Sequence, residues 1–122
     1  MLYKHLHSRW GCSCVLAEFP HARVTFFIWI NPERRILVLR STTKGRYNSF
    51  SVVLMVLTSG GWVDVSRFDT AHGIPHRDIL GRRKGLLQKI WFDEISPKEV
   101  FYLGIQTFQD DHERIIAEYL AN

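Results

Sequence analysis

The densest run of chemically able side chains in this chain is Arg67-Phe68-Asp69-Thr70-Ala71-His72-Gly73-Ile74-Pro75-His76-Arg77-Asp78. It holds two imidazoles, two guanidiniums and two carboxylates, punctuated by Gly73 and Pro75. An imidazole can take or give a proton near neutral pH. A guanidinium matches a phosphate through paired hydrogen bonds. Together these groups suit metal-free phosphodiester cleavage. His72 and His76 would be acid and base, Arg67 and Arg77 would neutralise the phosphate, and Asp69 would orient a histidine by accepting its other N–H.

The same residues allow two other readings. Asp69, His72, His76 and Asp78 offer the imidazole and carboxylate donors that suit zinc, manganese or iron. Gly73 and Pro75 keep the two histidines off a common helical face, and Gly73 stands where a zincin needs its glutamate. In the structural reading Arg67 pairs with Asp78 across the base of a loop. Asp69, helped by Thr70, then accepts backbone N–H groups in a tight turn, and the histidines are packing residues.

Other chemistries are poorly served. The chain has no Gly-x-Ser-x-Gly elbow, Walker loop or dinucleotide glycine pattern. Cys12 and Cys14 have one residue between them, which strains a disulfide and is short for a structural zinc pair. His5 and His7 with them make four donors, but not at a usual zinc spacing.

Net charge is +4 with a pI near 9.3, which permits an acidic partner without demanding one. The cations gather after the histidine-rich run, at Arg82, Arg83, Lys84 and Lys89. They would hold an RNA backbone while Tyr47 or Trp62 stacks a base; a solvated surface strip accounts for the run equally well. With 122 residues and 46% hydrophobic content, a single domain spanning 1–122 is expected, residues 1–20 forming a loosely ordered arm with a short edge strand over 15–19. The apolar runs 24–30 and 52–57 are far too short to cross a membrane, and no signal-peptide pattern opens the chain. A reduced, cytoplasmic, soluble protein is expected.

The elements that must position these residues begin at Arg23. Val24–Ile30 is β-branched and aromatic throughout, as in a strand buried on both faces. Asn31–Arg34 is a turn and Arg35–Arg40 the returning strand. Ser41–Gly45 reads as a loop, Tyr47–Leu57 as a third strand and Thr58–Gly61 as a hairpin turn. Trp62–Phe68 alternates at period two, with Trp62, Asp64, Ser66 and Phe68 on one face, so its faces are poorly sorted. The histidine-rich run leaves this strand as an irregular loop, and Leu86–Phe92 is a fifth strand or an extended arm. Ser96-Pro97-Lys98-Glu99 opens a helix with a cap, a proline at the first position and a capping-box glutamate. That helix either runs on or bends at Gln109–His112. The expected fold is α+β, an antiparallel sheet of four to five strands with a C-terminal helix packed on one face.

The run from Arg67 to Asp78 resembles a signature, Arg-aromatic-Asp-Thr-Ala-His-Gly…His-Arg-Asp, found in small uncharacterised bacterial and archaeal domains. More distantly it is similar to the TumE-like toxins of toxin–antitoxin pairs. Arg67 to His72 matches the first half of the toxin pattern, and Pro75-His76 is a shortened form of its Pro-His-His motif. A lysine–histidine pair of that family is replaced by Arg77-Asp78. The resemblance, over roughly residues 47–120, implies a small α+β domain with an RNA-directed activity and a cognate antitoxin protein as partner. The leading expectation is a toxin-like RNA-binding protein acting as a metal-independent ribonuclease, without a cofactor. The alternatives are a non-catalytic protein-interaction module, dimerising through the aromatic sheet or binding a partner protein, and a small metal-dependent hydrolase.

Overall fold

Residues 21–70 and 73–122 are described by the structure, a computed structural model. Six strands follow one another as an antiparallel meander: β1 (His21–Asn31), β2 (Arg34–Thr43), β3 (Arg46–Thr58), β4 (Gly61–Asp69), β5 (His76–Gly81) and β6 (Gly85–Trp91). Among the described residues a single helix, α1 (Pro97–Ala121), packs across β3, β4 and β5. The α+β class and the helix on one face agree with expectation, but the sheet has six strands, not four to five. The extra strand, β5, lies inside the run read as an irregular loop. Pro75 sits just before β5, where its missing N–H breaks no ladder bond, and Gly73 turns the chain at φ +86°. Only six residues therefore separate β4, ending at Asp69, from β5, starting at His76. Ser41–Thr43 is likewise strand, because Lys44 and Gly45 both adopt positive φ and close β2 and β3 with a two-residue turn.

Each strand presents alternate residues to the helix and to the opposite, open face. Ile36, Val38, Val52, Leu54 and Phe68 point to the helix side and are almost wholly buried against Val100, Phe101 and Phe108. The poor sorting of β4 has a physical cause. The β3–β4 register slips between Leu54 and Met55, so Val65 and Ser66 are both buried while Asp64 and Arg67 share the open face. Strand β1 is not buried on both faces: Phe27 is 40% and Trp29 54% exposed.

Helix α1 begins as its sequence demands. Ser96 accepts from the Glu99 N–H at 3.2 Å and donates its hydroxyl to the Glu99 carboxylate at 2.9 Å. The helix continues without a break through Gln109–His112. There its apolar stripe is interrupted, and His112 Nδ1 meets the Arg34 guanidinium at 2.8 Å instead. Gly104 allows the helix to lie close on β4, since a Cβ there would stand 2.9 Å from the Phe68 ring. That contact holds Phe68 in register and, with it, the neighbouring Arg67 and Asp69 on the open face.

Candidate functional site

Strand pairing sets the candidate residues in two adjacent rows on the open face. One row runs Val53, Arg67, Asp78, Lys89 across β3 to β6, and the next runs Ser51, Asp69, His76, Trp91. Directly opposed residues on one face lie about 5 Å apart, so the charges of each row meet side by side. Arg67 Nε is 2.9 Å from Asp78 Oδ2 and 3.7 Å from Asp69 Oδ2. On the other flank Lys89 Nζ lies 3.1 Å from Asp78 Oδ1, close enough for strong charge attraction although poorly aligned for a hydrogen bond. Burial pushes the Asp78 carboxyl up, but the adjoining Lys89 ammonium and the Arg67 guanidinium together outweigh it, leaving it below the usual carboxylate value.

His76 is buried beneath Trp91, whose ring centroid lies 4.9 Å away. Its Nδ1 donates to the Ile74 carbonyl at 3.1 Å, and its Nε2 faces Asp69 Oδ1 at 2.9 Å. Both ring nitrogens thus face oxygen acceptors. The expected contact of Asp69 with a histidine is made with His76, and neither nitrogen of that buried ring is directed at solvent. Thr70 fixes the base of the loop by accepting from the Phe50 N–H at 3.0 Å.

Not every expected site residue joins this cluster. Arg77 points to the opposite face, because it is one residue out of phase with His76 and Asp78. Its guanidinium lies 5.2 Å from the Phe68 ring centroid and its Nε reaches Ser66 Oγ at 3.4 Å. Burial, then the nearby Arg114, holds its pKa below the ordinary value. It cannot share a phosphate with His76. Tyr47 also faces the helix side, edge-on to Phe101 at 5.5 Å with Arg40 donating to its hydroxyl at 3.3 Å. The tip formed by Arg82, Arg83 and Lys84 docks on the end of α1. Its backbone N–H groups bond to Tyr119 and Asn122 carbonyls, and the Arg83 guanidinium reaches Ala121 O at 3.2 Å. Since α1 has no basic residue in its last turn, these cations answer the negative end of the helix dipole from outside. His72 lies outside the described residues, as do His5, His7, Cys12, Cys14 and the arm over 1–20.

A family defined as a domain of unknown function, DUF7718, matches residues 20–122, from the start of β1 to the end of α1. The chain belongs to the DUF7718 family. No curated protein and no solved structure matches it. No helix among the described residues of this DUF7718 domain is long and apolar enough to cross a membrane.

Three of the four residues considered as metal ligands do converge: one donor atom each of Asp69, His76 and Asp78 lie within 4.8 Å of one another. A cation among them would have to break the contact between His76 and Asp69 and sit beside the charges of Arg67 and Lys89. Hard dications prefer carboxylates that are not already neutralised.

The other half of the DUF7718 open face carries Trp62, expected above as a base-stacking ring, and groups around it that sequence reasoning passed over. The Arg35 guanidinium lies 3.9 Å from the Trp62 ring centroid and 4.1 Å from that of Phe27, with Trp29 at 5.4 Å. Among the described residues no carboxylate pairs with it, and its buried Nε has no hydrogen-bond acceptor. The available signal was Arg35 standing between aromatic neighbours on paired strands. It was obscured because Val24–Ile30 reads as a wholly buried strand.

Proposed function

We propose that this DUF7718 domain binds single-stranded RNA on the open face of its sheet. The observation that carries the reading is Arg35, a cation held between Phe27 and Trp62 without a counter-charge. Exposed aromatic faces stack bases irrespective of sequence, and an unpaired guanidinium among them serves a phosphate. RNA is preferred as the partner because Arg67 to His72 resembles the TumE-like toxins. In that toxin-like reading a cognate antitoxin protein would cover the same face. Cleavage without a metal would depend on His72, since both ring nitrogens of His76 already face oxygen acceptors.

The test is fluorescence anisotropy of a labelled single-stranded RNA at two salt concentrations, with Arg35→Ala and Trp29→Ala as variants. Tight binding by the wild type, falling about tenfold or more in each variant, is expected. No saturable binding at low salt, with a concentration-dependent dimer in sedimentation, would instead favour the protein-interaction module. Incubating the RNA with wild type and His72→Ala, with and without EDTA, checks cleavage. A second reading, a metal-dependent hydrolase, is favoured only by the convergence of Asp69, His76 and Asp78. Activity abolished by EDTA and restored by manganese would establish it.

A further inference from the structure

Beyond the aromatic end, the open face has a second, chemically different end. The pairing of β1, β2 and β3 places Arg23, Ser41 and Ser49 in one row and Thr25, Leu39 and Ser51 in the next. Together these six residues line a shallow depression on the face away from the helix. Among the described residues no carboxylate pairs with Arg23, and no other side chain engages the hydroxyls of Thr25, Ser41, Ser49 or Ser51. Asp69, the cross-strand neighbour of Ser51, is engaged by His76 at 2.9 Å and by Arg67 at 3.7 Å. A bulge adjoins the patch, where the β2–β3 register shifts between Ser41 and Thr42. Such irregularities re-aim side chains and are frequent beside functional sites.

We propose that Arg23, Thr25, Ser41, Ser49 and Ser51 form a phosphate-binding subsite. A guanidinium supplies charge and paired N–H donors, while hydroxyls on opposed strands about 5 Å apart supply further donors to the remaining phosphate oxygens. With no acid among the described residues that line the patch, an anion is favoured over a metal or a basic peptide. Odd-numbered residues of β1 then run along the sheet edge as cation, hydroxyl and two aromatic rings: Arg23, Thr25, Phe27 and Trp29. A nucleotide chain laid along this edge would place a backbone phosphate on Arg23 and a base on Phe27 or Trp29. This placement rests on the RNA-binding reading. The subsite itself is equally compatible with the phosphate of a free nucleotide.

The deciding experiment is the salt dependence of RNA binding by wild type, Arg23→Ala, Arg23→Lys and the Ser41→Ala/Ser49→Ala double variant, each checked for an unchanged thermal midpoint. For wild type that binds RNA, Arg23→Ala should lower affinity about fivefold to tenfold and reduce the salt slope by about 0.7, the value for one phosphate contact on a single strand. Arg23→Lys should restore the slope, and the serine double variant should weaken binding without altering it. A slope unchanged in Arg23→Ala would overturn the subsite while leaving RNA binding intact. If wild type binds no RNA, inorganic phosphate and a nucleoside monophosphate are titrated against the amide signals of Ser49 and Ser51. Saturable shifts in wild type, lost in Arg23→Ala, would support the subsite with a free phosphate compound as ligand. Absence of such shifts would overturn it.

Discussion

The two halves of the open sheet face contrast in how their polar groups are spent. On β4 to β6, Arg67, Asp69, His76, Asp78 and Lys89 set opposite charges against one another in adjacent rows, with Asp78 between Arg67 and Lys89. On β1 to β3, Arg23 and Arg35 have no acidic partner among the described residues, and exposed rings and unengaged hydroxyls surround them. A cluster that closes on itself stabilises a fold, whereas groups left unsatisfied on an accessible surface await a ligand. The motif richest in chemistry by residue type is thus the more self-contained half. The plain β-branched strand belongs to the half better suited to bind.

This contrast can be broken experimentally. The largest effect on stability is expected from Asp78→Ala, which removes the buried acceptor shared by Arg67 and Lys89. Both cations retain partial access to water, so the loss should be about 2–3 kcal/mol in urea unfolding, below the range for a fully buried pair. RNA affinity of the folded variant should stay near wild type. A stable Asp78→Ala protein that had lost RNA binding would reverse the assignment of the two halves.

Gly104→Ala should cost about 1–3 kcal/mol, because the new methyl meets the inner atoms of Phe68 and the helix cannot approach as closely. It acts from beneath the charged half, so a measured change below about 0.5 kcal/mol would show that the helix–β4 contact is slack.

The sharpest complement is Trp29→Ala. The ring is half exposed but edge-on to Trp62 at 5.7 Å, so its truncation should lower stability by about 1 kcal/mol, less than Asp78→Ala. It should weaken RNA binding by about 1–3 kcal/mol, the range for one base–aromatic stack. A stability loss as large as that of Asp78→Ala, with RNA binding unchanged, would erase the distinction between the halves.

A smaller effect is pH dependence. The folded Asp78 carboxyl is held below its unfolded value, so its contribution is fully present above the unfolded carboxylate pKa of about 4. It is lost as pH falls through the lower, folded value. The wild-type unfolding midpoint should therefore decline from about pH 4 downward more steeply than that of Asp78→Asn. Parallel acid limbs would remove the charge cluster as the cause. Smallest of all, replacing Arg82, Arg83 and Lys84 by glutamine should lower stability by about 0.3–1 kcal/mol through the lost helix-dipole interaction. Its effect on RNA affinity should be well below that of Arg35→Ala.

Much of the architecture was legible in residue order. Periodicity in β2, β3 and β4, the glycines of the Thr58–Gly61 turn and the Ser96–Glu99 cap are local features, and local sterics and hydrogen bonding decide them. The pairing of Arg67 with Asp78 was also foreseeable, as two opposite charges flanking a short turn. Strand β5 was not, because Gly73 and Pro75 mark a break in the chain without saying how short the break is.

What sequence by itself determined is the α+β class, the helix start and the set of groups able to do chemistry. Only the tertiary structure decided which of those groups share a face. A single-residue phase difference sends Arg77 to the helix side while His76 and Asp78 go to the other. One bulge in the β3–β4 pairing sorts Asp64 and Arg67 together. Arg35 becomes a cation between two rings, without a carboxylate partner among the described residues, only when β1 to β4 are assembled in one sheet. Side-chain direction in a sheet alternates with every residue, so register, a property of strand pairs rather than of any one strand, determines what meets what.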